Sequence, residues 1–319
     1  MEPVGLASLT GERTEMSAPF ESDTVDTAAT PIIDSDRSPA RSAAAVVDMA
    51  GLTDRGHRRS NNEDHFLISR FGRFLETLDT NLSPEDAPFR EEESGYSLLV
   101  ADGMGGHAGG EVASKLAIST LINLALATPD WILRLDDDPL MQEVMRRAKE
   151  RWGLINTALT DHAEADPSVK GLGTTLTLAW SLGRNLMVAH IGDSRAYLYR
   201  RKQLHRLTHD HTFAQSLADQ GIIAQCEVAR HRMRNVLTRV LGNAEQAVEP
   251  DLLQLTLEDG DILLLCTDGL TDMVEESLIP STLDRELDSK TICRRLVEQA
   301  LEAGGKDNVT VAVAHYRFP

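Results

Sequence analysis

VADGMGGHAGGEVASKL, Val100 to Leu116, runs out of an apolar strand into a carboxylate, turns through five glycines and opens a helix. Two chemistries answer to that order of residues. A Gly-rich turn between strand and helix cradles a dinucleotide's phosphates on backbone N–H groups, whereas an Asp at a strand end holds a metal ion. Gly103-Met104-Gly105-Gly106-His107-Ala108 does match G-x-G-x-x-A. That fingerprint also needs a second strand ending in an acidic residue about 20 positions on. The segment in that place, TPDWILRLDDDP, is acidic but holds no clean strand, and no G-K-[ST] occurs anywhere in the chain.

The carboxylate reading gains from repetition. SLLVADG reaches Asp102, VAHIGDS reaches Asp193, ILLLCTDG reaches Asp268, and KDNVTVAVA begins its strand beside Asp307. One Asp-Gly alone is most simply a turn. Four acids flanking apolar strands suggest antiparallel strands whose ends gather these side chains along one edge. Like charges brought together repel and resist ionisation, and a divalent cation removes that penalty. A donor set made only of oxygen selects Mg²⁺ or Mn²⁺, and Cys226, Cys266 and Cys293 form no metal or redox spacing.

The surrounding chain is organised as follows. Its 319 residues, 41% hydrophobic, can bury a large core. The formal charge of −18 disfavours nucleic acid and anionic membranes as partners and favours cations or basic protein segments. The first residues lack a basic and apolar leader and the apolar runs are short, so a cytoplasmic chain without export or membrane insertion is expected. Residues 1–45 are rich in Ser, Thr, Ala, Pro and acids and read as a disordered tail; order begins near Val46. Residues 71–95 read as a mobile loop inserted between two strands, because Pro84, Pro88 and the glutamates interrupt any period. Helical spacing marks Glu111–Ala127 and Pro139–His162. TTLTLAWSL, NLMVAHIGDSRAYLYR and QLHRLT read as strands in antiparallel hairpins, so helices group around antiparallel sheet and the class is α+β.

Upstream, GHRRSNNEDHFLI (Gly56 to Ile68) sets Arg58 and Arg59 just before Glu63 and Asp64 at the start of a strand. A guanidinium offers a planar fork matched to two phosphate oxygens. Taken alone, such a cluster is a surface salt bridge. Taken in order, RSNNED, ADGMGGHAGGEVAS, GLGTTL, HIGDSRAYLYR, LLCTDGLTD and GGKDNVTV resemble the metal-dependent protein phosphatases, the type 2C serine/threonine phosphatases, in their bacterial form. The resemblance runs from about Val46 to Tyr316.

What this resemblance implies can be stated residue by residue. The fold would be a four-layer α-β-β-α sandwich of two antiparallel sheets flanked by helices. Asp102 would bridge two Mg²⁺ or Mn²⁺ ions and Gly103 would offer its carbonyl; Asp268 and Asp307 would complete one site, and Asp193 with Asp268 would support a third, weaker ion. Glu63, Asp64 and Asp272 would act on waters, and Arg59 would grip phosphate, with Arg58 its bystander. Metal-bound water would attack phosphoserine or phosphothreonine directly, and His107 is the candidate acid for the leaving alkoxide. Residues 209–243 resemble the family's helical flap beside the site. The partners implied are phosphorylated proteins, including a bacterial serine/threonine kinase that the enzyme opposes, met by a monomer. A phosphoprotein-binding module without catalysis, and hydrolysis of small phosphorylated metabolites, stand as the alternatives.

Overall fold

The computed structural model describes residues 45–319 except 84–85, 88, 106–108, 128–137, 245–247 and 285–286. The expected tail therefore falls, up to residue 44, outside the described residues. The elements in order are β1 (Val46–Asp54), β2 (Asp64–Glu76), β3 (Arg90–Met104), α1 (Gly109–Ala127), α2 (Asp138–Ala165), β4 (Gly173–Thr174), β5 (Leu176–Leu182), β6 (Asn185–Ile191), β7 (Arg195–Arg200) and β8 (Gln203–Arg206). They continue through α3 (Phe213–Asp219), β9 (Asp251–Thr256), β10 (Ile262–Cys266), α4 (Asp268–Thr271), α5 (Ile279–Leu283), α6 (Ser289–Glu302) and β11 (Val309–Arg317).

Two antiparallel sheets result, one ordered β1-β11-β10-β7-β8 and the other β2-β3-β5-β6-β9, with the short β4 added to the end of β3. The α+β layering expected from sequence is what the chain adopts. Central strands are apolar without alternation because both of their faces are buried. Leu98 and Val100 of β3 meet Leu263, Leu265, Ala312 and Ala314 between the sheets. Their neighbours Leu99 and Ala101 point the other way, onto Ala113 and Ala117 of α1 and Trp152 and Ile155 of α2. Leu264 and Cys266 likewise face Ile292, Leu296 and Val297 of α6. Three parallel seams of core thus bind four layers.

Three local expectations are corrected. Residues 71–95 are not a loop: β2 extends to Glu76 and β3 starts at Arg90, paired in register from Asp64↔Asp102 to Glu76↔Arg90, which leaves only residues 77–89 as connection. The strand signal NLMVAHIGDSRAYLYR is two strands in different sheets, since β6 joins one and β7 the other, with the crossing at Gly192–Ser194. Finally, α1 is long and apolar enough by composition to cross a membrane, contrary to the expectation that no run is. Here its apolar side packs on β3 and α2 as part of the core.

Candidate metal and active site

The carboxylates converge at one end of the sandwich and come from both sheets, not from one edge of a single sheet. Asp64 opens β2 directly opposite Asp102 near the end of β3. Asp268 follows β10 as the first residue of α4, Asp307 lies two residues before β11, and Asp193 sits where the chain crosses from β6 to β7. Burial, reinforced by their mutual repulsion, lifts the carboxyls of Asp102 and Asp193 above the usual range. The same causes push Asp64 and Asp268 up to about 7.

The environment of Asp64 shows how the site is built. Its Oδ2 accepts hydrogen bonds from Thr267 Oγ1 at 2.8 Å and Thr310 Oγ1 at 2.7 Å. Its Oδ1 and the Oδ1 of Asp268 are buried with no hydrogen-bond partner. A buried carboxylate oxygen left without a donor is costly, and a hard cation is the partner its chemistry accepts. Among the described residues no three acidic, His or Cys side chains meet as a closed ligand group. Asp102 feels the charges of Asp64, Asp268, Asp193 and Asp307, which defines one cluster, and Asp102 and Asp268 come within hydrogen-bond reach of each other. The donor set is hard oxygen throughout and fits divalent ions.

Gly103 lets the strand end and the helix start touch. A Cβ there would stand 2.0 Å from Gly110 O and 2.7 Å from Glu63 O. The backbone N–H of Gly103 donates to Glu63 O at 3.2 Å, and Ser114 Oγ donates to the same carbonyl at 2.6 Å. Gly103→Ala is expected to lower stability by about 1–3 kcal/mol through this overpacking; a denaturant midpoint unchanged from native would contradict the packing account.

Arg59 Nη2 donates to Asp307 Oδ2 at 2.6 Å, and this bond raises the guanidinium's pKa further. The guanidinium remains half exposed at the mouth of the cluster. Glu63 beside it is raised by burial, against the pull of Arg59. Arg58 is exposed, and it joins no described bond. Asp272 Oδ2 accepts from Arg234 Nη2 and from Asn235 Nδ2, each at 3.1 Å. The flap, residues 209–243, is less helical than expected: α3 and a 3-10 segment at Gln225–Arg230 are its regular elements. His107 lies outside the described residues.

Several residues of the site escape motif reading. Asn308 donates from Nδ2 to Arg55 O and Asn61 O and accepts from Glu63 N, so it pins the whole Arg59 loop. Thr175 Oγ1 accepts from Asp102 N at 3.0 Å and bonds Ser194 Oγ at 2.8 Å, which ties Asp102 to the Asp193 crossing. Gly192 turns there with φ +112°, where a Cβ would meet the Thr175 side chain at 2.4 Å. The signal for Asn308 is its place beside Asp307; Arg234 and Asn235 carry none. A cavity of about 510 Å³ opens elsewhere, beside Lys149, His209 and Asp251, and contains none of the clustered acids.

Comparison with known proteins now decides the family. The sequence model described as protein phosphatase 2C matches residues 76–306. The chain belongs to the protein phosphatase 2C family. Among curated relatives it is 37% identical over 270 residues to the serine/threonine protein phosphatase PstP of Mycobacterium tuberculosis, covering 84% of this chain and 45% of that protein. It is 31% identical over 269 residues to the protein phosphatase PhpP of Streptococcus pneumoniae, covering 84% of this chain and 96% of that one. The chain thus spans under half the length of PstP and nearly all of PhpP. Of solved structures, the PstP catalytic domain in complex with two manganese ions aligns over 86% of this chain and 100% of that one, with TM-score 0.66 and 35% identity. The residues matched by the protein phosphatase 2C model include Asp102, Asp193 and Asp268 of the carboxylate cluster, and Asp307 lies one residue beyond them.

Proposed function

We propose that this chain is a metal-dependent serine/threonine protein phosphatase whose site is the carboxylate cluster. The observation that carries the reading is the pair of buried, unpartnered Oδ1 atoms of Asp64 and Asp268 within a set of five converging acids. Asp102, Asp268, Asp307, Asp193 and the carbonyl of Gly103 would hold Mg²⁺ or Mn²⁺. Such ions, when bound, make water nucleophilic near neutral pH and offset phosphoryl charge.

The chain's own residues supply the rest. Arg59 is free at its exposed side to receive two phosphate oxygens while Asp307 orients it from below. Asp64, its Oδ2 fixed by two threonines, keeps a buried Oδ1 with no protein donor and so available to a water of the site. Asp272 orients water at the flap side, and the flap's Arg234 and Asn235 set its direction. The open mouth suits a phosphorylated side chain presented on a protein. His107 is the proposed proton donor to the alkoxide. The biological role we propose is to oppose a bacterial serine/threonine kinase, as a monomer, in a reducing cytoplasm compatible with three unpaired cysteines.

The test is phosphate release from a phosphothreonine peptide and, side by side, from a sugar phosphate, with Mn²⁺ and with chelator. Metal-dependent release from the peptide alone supports the reading; preference for the sugar phosphate, or no release by the folded, metal-supplied chain, overturns it. Removal of the flap's hold gives a finer check. Arg234→Ala is expected to lower kcat/KM on the peptide about tenfold with little change in melting temperature, since an exposed charged bond to Asp272 guides geometry more than it stabilises. Equal kcat/KM for variant and native chain would remove Arg234 from the mechanism.

A further inference from the structure

The β2–β3 ribbon reaches well past its sheet. β3 pairs with β5 only over Gly95–Val100. Farther out, Gly72–Glu76 and Arg90–Ser94 pair with each other and, among the described residues, with no third strand. A two-stranded ribbon buries little and leaves both of its backbone edges open. Its tip nevertheless displays five large apolar side chains: Phe74 is 68% exposed, Leu75 57%, Leu78 89%, Leu82 57% and Phe89 76%. Clustered apolar exposure of this kind marks an interaction site.

Charge says what fits there. Arg70 pairs with Glu92, and Arg90, opposite Glu76 in the outermost register pair, bonds Glu92 at 3.3 Å while lying over the Phe74 ring. Glu76 and, in the connection beyond it, Asp79 and Asp86 form no ion pair among the described residues. From Glu76 to Glu93 the sequence carries seven acidic residues and one arginine. An anionic lipid surface or a nucleic acid is repelled by such a tip, and so is a second copy of the same tip. A basic segment with alternating apolar residues complements both the charge and the open strand edge.

We propose that the ribbon tip is a docking surface for a basic, strand-forming segment of another protein. At about 3.3 Å per residue the length of β2 puts Glu76 on the order of 40 Å from Asp64, so an occupant leaves the carboxylate cluster open. The ribbon recruits or tethers without blocking the site.

The test uses the full chain and a fluorescent ten-residue peptide of alternating Lys and Val. Controls are a Lys/Ser peptide of equal charge and vesicles of anionic lipid. The Lys/Val peptide is expected to bind the native chain and to bind at least tenfold more weakly to Phe74→Ser/Phe89→Ser and to Glu76→Lys/Asp79→Lys. Hydrolysis of p-nitrophenyl phosphate by both variants should match the native rate, which also reports their folding. Equal binding of the Lys/Ser peptide, equal binding by both variants, or binding of the vesicles overturns the proposal. So does sedimentation showing a native dimer that the Phe74→Ser/Phe89→Ser variant dissolves, because the tip would then be covered by a second copy.

Discussion

Asp268→Ala is expected to reduce metal-dependent phosphate release from a phosphothreonine peptide by about 10³-fold or more, the scale on which loss of one preorganised electrostatic group acts at a reacting phosphoryl or acyl centre. Asp268 stands where β10 ends and α4 begins, with one oxygen buried and unpartnered. Removing a buried carboxylate that repels Asp272 and Asp307 should not weaken the metal-free fold. Two readouts therefore separate. The variant's melting temperature in chelator should equal or exceed the native value, while the rise in melting temperature on adding Mn²⁺ should vanish. Lost activity with that rise intact would mean that Asp268 acts on the reaction without holding metal; lost activity with a large fall in chelator would mean a structural role.

A second large effect links metal to pH. Asp64 and Asp268 have carboxyls raised to about 7 by burial and by neighbouring acids. The folded, metal-free chain thus binds more protons than the unfolded chain between the ordinary carboxylate range and about pH 7. Its stability falls as pH rises across that window and is regained as pH falls. A divalent ion takes the place of those protons, so its stabilising increment should grow from pH 6 to pH 8. With Mn²⁺ at 100 times its dissociation constant the increment is about 2.7 kcal/mol, or roughly 5–10 °C in a domain of this size. Buried His190, whose pKa is lowered to about 3 by desolvation, opposes the trend at acid pH in both arms and cancels in their difference. Thermal melts with Mn²⁺ and with chelator at the two pH values decide it: an increment equal at both, or larger at pH 6, contradicts the charge-cluster account.

Residues 71–95 read as loop because their strand character owes little to burial: cross-strand pairs such as Arg70 with Glu92 hold exposed strands that show no hydrophobic period. Period-based reading detects strands by the face they bury, and this one buries almost none. At the β6–β7 crossing the reading failed for a different reason. Both halves of NLMVAHIGDSRAYLYR are apolar strands, and nothing in Gly192-Asp193-Ser194 reveals that the second half leaves for the other sheet.

From sequence alone came the α+β class, the apolar strands buried on both faces, and the acids at their ends, since a strand sealed on two sides can carry charge only where it emerges. Asp102, Asp268 and Asp307 stand out in the sequence for that reason, whereas Arg59, by itself a salt-bridge residue, takes its role from the family resemblance. Only the tertiary structure decided that the acids meet across two sheets, that Thr267 and Thr310 hold Asp64 from more than 200 residues away in the chain, that Asn308 fastens the Arg59 loop, and that flap and site join at Asp272. These are contacts between segments with no sequence period in common, chosen by how the two sheets stack, and local patterning carries no record of them.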